Sequence, residues 1–169
     1  MPDNIDDIVD AVIDAETDDA NPSKVTIDPN DAGGKTQYGI SIRSNPQAWA
    51  DGKVTEEEAR AIYEQRYIVG PGFTRIADHR LLHFLVDWGV TSGPSISVKG
   101  VQRLVGVEDD GILGPKTAKA INETDPKRLL NRLIDERILM LARIVNRDHS
   151  QSRFIEGWIN RVLEFRIEA

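Results

Sequence analysis

A carboxylate standing where a helix calls for a hydrophobe is the first residue of this chain with evident chemistry. Ile5, Ile8, Val9, Val12 and Ile13 recur at helical spacing, and at about 100° per residue Glu16 falls near the centre of the apolar stripe they form. Asp6, Asp7, Asp10 and Asp14 fall off that stripe, towards solvent. Desolvation on a buried face and the negative end of a helix dipole both disfavour the charged form of a carboxyl, which is what a proton donor near neutral pH requires. The alternative is a helix that has already ended, with Glu16 exposed on the following turn, and periodicity alone leaves both readings open. Two other constellations are weaker. His79 and His83 stand four apart, but no third ligand has convincing spacing, so packing or surface roles are expected. Asp28-x-Asn30 opens like a calcium loop, yet Ala32 and Gly39 occupy its fifth and twelfth positions, where the loop needs an oxygen ligand and a Glu. No metal or organic cofactor is expected.

The elements that position these residues are mostly helical. The first helix is expected from Asn4 to about Glu16, with Asn4 or Asp3 as its cap. Glycine, proline and Asx residues then signal loops around two short strands, Lys24 to Ile27 and Thr36 to Ile42, the second following the Gly33-Gly34 turn. Thr55 and Glu58 form a capping box before a helix with Ala59, Ile62, Tyr63 and Tyr67 on its apolar face. Leu81, Leu82, Leu85 and Trp88 mark a helix ended by Gly89. Ile96, Val98, Val101, Leu104 and Val105 mark another, closed by Gly106. After an Asp109-Asp110-Gly111 turn, helices follow at about Pro115 to Ile121, Pro126 to Val145 and Ser152 to Phe165, the last burying Phe154, Trp158 and Val162. The expected class is mainly α (α+β), with one small β-hairpin region after the first helix.

Composition narrows the partners. The 169 residues suit one domain, and the formal net charge of −7 is uneven. Residues 1–88 hold 8 Lys/Arg against 17 Asp/Glu, and residues 89–169 hold 13 against 11. The acidic half argues against nucleic acid as a partner, since no basic stripe offsets phosphate repulsion. The chain has no cysteine, which excludes thiol catalysis, thiolate metal sites and disulfides. No stretch approaches a transmembrane span, so stable membrane insertion is not expected, and the acidic N-terminal run does not read as a signal peptide.

The run Asp28-Pro29-Asn30-Asp31-Ala32-Gly33-Gly34-Lys35-Thr36-Gln37-Tyr38-Gly39-Ile40-Ser41 resembles the N-terminal signature of the glycoside hydrolase 108 muramidases, lysozyme-like peptidoglycan hydrolases common among phage endolysins. Val101-Gln102-Arg103-Leu104-Val105-Gly106-Val107, with Asp110-Gly111-Ile112-Leu113-Gly114-Pro115-Lys116-Thr117, is similar to the peptidoglycan-binding segment that accompanies them, and Leu85 to Val90 resembles the helix before it. The resemblance implies a single lysozyme-like domain over 1–169, with a muramidase-like half at 1–88 and a helical peptidoglycan-binding-like half at 89–169. The chain departs from the family in reading Glu16-Thr17-Asp18 for Glu-Gly-Gly, in a longer interval from Glu16 to Asp31, and in Thr91-Ser92-Gly93 where many relatives have Asn-x-Gly.

Glycoside cleavage needs an acid to protonate the departing oxygen and a second carboxylate to attack or to activate water. Glu16 is the expected general acid. Asp31, in a polar Gly-rich turn that keeps it ionised, is the expected partner, with Asp28 as the fallback and ordinary turn chemistry as the alternative for both. By analogy with the Glu/Asp/Thr set of phage-type lysozymes, Thr36 would position the attacking water, and inversion is favoured; Thr36 as a plain strand residue is the alternative. Tyr38, Gln37, Trp88 and Ser92 are the expected substrate contacts. Tyr38, Trp49 and Trp88 have rings that stack on sugars, although helical spacing makes core packing the default for Trp88. The expected activity is hydrolysis of the β-1,4 bond between N-acetylmuramic acid and N-acetylglucosamine. A lytic transglycosylase using Glu16 alone and a non-catalytic peptidoglycan-binding module are the alternatives. A monomer is expected, made in a host cytoplasm, reaching the periplasm or cell wall with the help of a holin, and acting there as a bacteriolytic agent of a bacteriophage.

Overall fold

Asn4 opens helix α1 (Ile5–Glu16) by accepting the Asp7 N–H on its side chain at 2.9 Å, and Asp6 and Asp7 suit the positive end of the helix dipole. The structure, a computed structural model, describes residues 4–17, 21, 23–27 and 34–167, apart from the side chains of Ala15 and Glu16. Ile8, Val9, Val12 and Ile13 are buried as the periodicity predicts. The helix does not stop short of Glu16. Thr17 ends it in an extended conformation, with both its N–H (3.0 Å) and its hydroxyl (2.8 Å) donating to the Ile13 carbonyl.

A three-stranded antiparallel sheet follows, β1 (Thr26–Ile27), β2 (Lys35–Gln37) and β3 (Ile40–Ser41), in that order. Thr36 sits opposite Thr26 on one side and Ser41 on the other. The single strand expected from Thr36 to Ile42 is corrected to a hairpin. Tyr38 and Gly39, at φ 50° and 73°, make a two-residue turn with both centres in the positive-φ region that the type I′ hairpin requires. Trp49, buried at the end of a 3₁₀ turn (Pro46–Trp49), donates its indole N–H to the Ile40 carbonyl at 3.2 Å and anchors the third strand. Helix α2 (Glu56–Glu64) carries the expected capping box in full, with Glu58 N donating to Thr55 Oγ1 at 3.2 Å and Thr55 N to Glu58 Oε2 at 2.8 Å. It runs on into a π-helical turn, Gln65–Val69. Arg60 of α2 donates to Asp10 and approaches Asp6 of α1, fastening the two helices. These elements form the first of two compact units, Pro2–Val69.

The second unit begins at Gly70 and holds α3 (His79–Ser92), α4 (Pro94–Val105), α5 (Pro115–Asn122), α6 (Pro126–Arg147) and α7 (Ile155–Leu163). Helix α3 does not end at Gly89. It continues for three residues, and the glycine serves packing rather than termination: a Cβ at Gly89 would lie 3.3 Å from the Pro94 Cα, so its absence lets the start of α4 come close. Its core face, Leu81, Leu82, Phe84, Leu85 and Trp88, is buried, as are Val98 and Val101 of α4 and Leu129, Leu130, Leu133 and Ile134 of α6. Each such side chain stabilises the fold by about 1.5–3 kcal/mol. Gly100 is required for this packing, since a Cβ there would meet the Trp88 ring at 2.6 Å. Gly106, at φ 75°, closes α4 as expected. Phe154 does not join the core: it is exposed in a 3₁₀ turn (His149–Phe154), stacked at 5.8 Å on Trp158, which is only half-buried, while Val162 is buried as expected and Phe165 is buried as well. Among the described residues no helix is long and apolar enough to cross a membrane.

Candidate active site

Of the expected catalytic residues, the first unit shows the backbone at Glu16 and the whole of Thr36. Helix α1 carries its helical conformation to Glu16 itself. Thr36 lies on the middle strand of the sheet, half-buried, with its carbonyl 3.4 Å from the Thr26 hydroxyl. Asp31 and Asp28 lie outside the described residues, as does the Glu16 side chain.

Tyr38 is held in a conformation that a side chain resists. It is the one non-glycine residue at positive φ among those described, and its carbonyl accepts the Tyr63 hydroxyl at 3.0 Å. Asn-Gly would make the same turn with less strain. The half-exposed Tyr38 ring is thus kept at the hairpin tip against local preference, a pattern found where a side chain is needed for contact. Gln37 has a different task. It is buried, its amide donates to the Ser23 carbonyl at 2.7 Å and accepts from Val54 N at 2.8 Å, so it ties the sheet to its flanking loops. Trp49 is buried too. Beside the hairpin a pocket of about 100 Å³ opens between Ser41, Asn45 and Tyr67, and Tyr67 stacks on Tyr63 at 6.0 Å. Sequence reasoning assigned Tyr67 only to an apolar face; its spacing from Tyr63 was the available signal.

Trp88 is 1% exposed and packs edge-on against Phe84 at 6.0 Å, so no ring face is open to a sugar. Core packing, the alternative raised for it, is its place. Ser92 ends α3 half-exposed and borders a pocket of about 200 Å³ together with Thr91, Arg137 and Arg161. Below this pocket lies a buried charge cluster that sequence reasoning missed. Asp87 accepts Arg137 Nη1 at 2.6 Å on one carboxylate oxygen and Arg161 Nε at 2.8 Å on the other. Arg137 Nη2 donates to the Thr91 hydroxyl at 3.1 Å, and its guanidinium lies 5.5 Å from the centre of the Phe84 ring. Burial pushes the Arg137 pKa down, against the pull of Asp87. The available signal was Arg137 itself, which stands on the same helical stripe as Leu130, Leu133, Ile134 and Leu141.

The segment around Gln102 is a lock. Gln102 Nε2 reaches Asp110 Oδ1 (2.8 Å), the Ile112 carbonyl (3.1 Å) and the Thr117 hydroxyl (3.2 Å), while its Oε1 accepts Gly111 N at 2.9 Å. The Gln102 hydrogen bond and then that of Ile112 N hold the Asp110 carboxyl below the usual range. The turn therefore joins α4 to α5 as a structural connection, and the motif Gln102…Asp110-Gly111…Thr117 is the signature of that joint.

With this geometry in view, comparison with known proteins defines the class. Residues 11–93 match the family described as glycosyl hydrolase 108, and residues 96–163 match the one described as a predicted peptidoglycan domain. The chain carries a glycosyl hydrolase 108 domain followed by a peptidoglycan domain, in the order the sequence motifs predict, and is a glycoside hydrolase acting on peptidoglycan. Among solved structures it is similar to SagA of Brucella abortus, at 28% identity and a TM-score of 0.72, over 96% of this chain and 91% of that one. No curated protein matches it. The fold is the mainly α, lysozyme-like one, with its small antiparallel sheet directly after the first helix.

Proposed function

We propose that the protein is an N-acetylmuramidase, cleaving the β-1,4 bond between N-acetylmuramic acid and N-acetylglucosamine with Glu16 as general acid. The observation that carries this reading is the unbroken helix to Glu16, followed at once by a sheet with Thr36 on its middle strand. An acid at the end of an apolar helical face supplies the proton for the leaving oxygen, and Asp31 is assigned as the base that activates water. Thr36 orients that water, and attack from the opposite face inverts the anomeric carbon. Tyr38 lies against the glycan from the hairpin tip. The protein works as one lysozyme-like domain and as a monomer. On this reading it is a phage-type endolysin, made in the host cytoplasm and reaching the periplasm or wall through a holin.

The test is loss of turbidity of chloroform-treated cells by the wild type beside Glu16→Gln, with mass spectrometry of the products from purified sacculi. The expected result is at least a 100-fold loss of rate in Glu16→Gln, in the range of removed acid catalysis, and reducing muramic ends in the wild-type digest. Equal clearing by both proteins would defeat the assignment of Glu16. Anhydro-muramic ends would make the enzyme a lytic transglycosylase, and sacculus binding without any release would make the chain a wall-binding module.

A further inference from the structure

The geometry points to a second binding site, in the 200 Å³ pocket of the second unit, for the carboxylate end of a peptidoglycan stem peptide. This rests on the reading of peptidoglycan as substrate but not on which bond is cut. The pocket is walled by two guanidinium groups, Arg137 and Arg161, by the Thr91 and Ser92 hydroxyls, and by Leu141 and Trp158. Two cations meet a single carboxylate there, Asp87, so the cluster keeps a surplus positive charge. Asp87 is the counter-ion of the buried Arg137, so the unmatched positive charge falls on Arg161, whose side chain is 29% exposed and which lines the pocket, where it can take a counter-charge.

The donors are arranged to receive one. Arg161 turns Nε and Nη2 to the same oxygen of Asp87, at 2.8 and 2.6 Å, which fixes its guanidinium at the pocket wall while Arg137 takes the other oxygen. Ser92 Oγ stands 3.5 Å from Thr91 Oγ1 at the rim, able to donate outward. Guanidinium groups recognise carboxylates through paired N–H donors, so a terminal carboxylate fits this charge and donor pattern. The remaining wall is apolar, from Leu141, Ile144 and Trp158, and suits a small methyl-bearing residue next to that carboxylate. A stem peptide ending in alanine has both features, whereas the glycan backbone has no carboxylate except the lactyl group already committed to the peptide bond. The peptide end, not the sugar, is the ligand.

The test uses the full chain and a sugar-free stem tetrapeptide ending in D-alanine, titrated by calorimetry as the free acid and as the C-terminal amide. The expected result is saturable binding of the free acid, weakened at least tenfold by amidation. Trp158→Ala and Arg161→Gln, each checked for retained helical circular dichroism, are expected to weaken the free acid by a similar factor. Absence of free-acid binding, equal binding of acid and amide, or wild-type affinity in both folded variants would overturn the site. Sacculus digestion products, which report the bond cut, are read independently of this titration.

Discussion

Replacing Asp87 by Asn isolates the worth of the buried cluster. The amide keeps the volume of the carboxyl and one oxygen acceptor, but it removes the only negative charge and turns an N–H₂ group towards a guanidinium. Arg137, 4% exposed and 2.6 Å from the lost charge, is then a buried cation without a counter-ion. Breaking such a pair from one side costs about 3–5 kcal/mol. An exposed pair such as Lys119 with Glu123, four residues apart on the surface, is worth about 0.3–0.5 kcal/mol by comparison. With a urea dependence of about 1–3 kcal/mol/M, the Asp87→Asn midpoint is expected to fall by at least about 1 M at pH 7, followed by circular dichroism at 222 nm. Replacing all three charges together, as Asp87→Leu, Arg137→Met and Arg161→Leu, is expected to recover most of that loss, because desolvation is removed with the attraction. A cost below about 1 kcal/mol for Asp87→Asn would refute the reasoning, since it would mean that water reaches the guanidinium groups.

Two further outcomes are expected. Tyr38→Asn relieves the positive-φ strain at the hairpin tip and should raise stability by about 0.5–1 kcal/mol while lowering the rate on sacculi; a stable variant with undiminished rate would deny the ring a role in substrate contact. His83 is pushed below its ordinary pKa by burial, in spite of the attraction of Asp87, so the folded protein disfavours the imidazolium that the unfolded chain forms below about pH 6.5. Urea midpoints should therefore fall between pH 7 and pH 5, and less steeply in His83→Gln; identical slopes would remove His83 as the cause.

Much of this was legible in the sequence, and for a common reason. Asn4, the Thr55 capping box and Gly106 act through backbone groups a few residues away, so a local pattern suffices to place them. Gly89 and Tyr38 misled because their roles depend on distant partners. Gly89 is read locally as a stop but serves the approach of Pro94, and Tyr38 is read as a strand residue but occupies a turn held by Tyr63. Arg137, like Glu16, is a charge standing on an apolar helical stripe. Pairing Arg137 with Asp87, fifty residues earlier, needed the packing of α6 on α3, which no sequence spacing encodes.

Helix α3 carries a consequence for how this protein can be taken apart. By descent its residues belong to the hydrolase segment, which extends to residue 93; by packing they belong to the unit that begins at Gly70. Inheritance and folding thus draw different borders through one chain. A fragment cut at the border of descent would keep α3 and lose α4 and α6, stranding Leu82, Phe84, Leu85 and Trp88 in water. Any recombination that gives this hydrolase a new wall-recognition partner has to bring along a matching surface for α3, which makes the helix a toll on domain shuffling rather than a neutral linker.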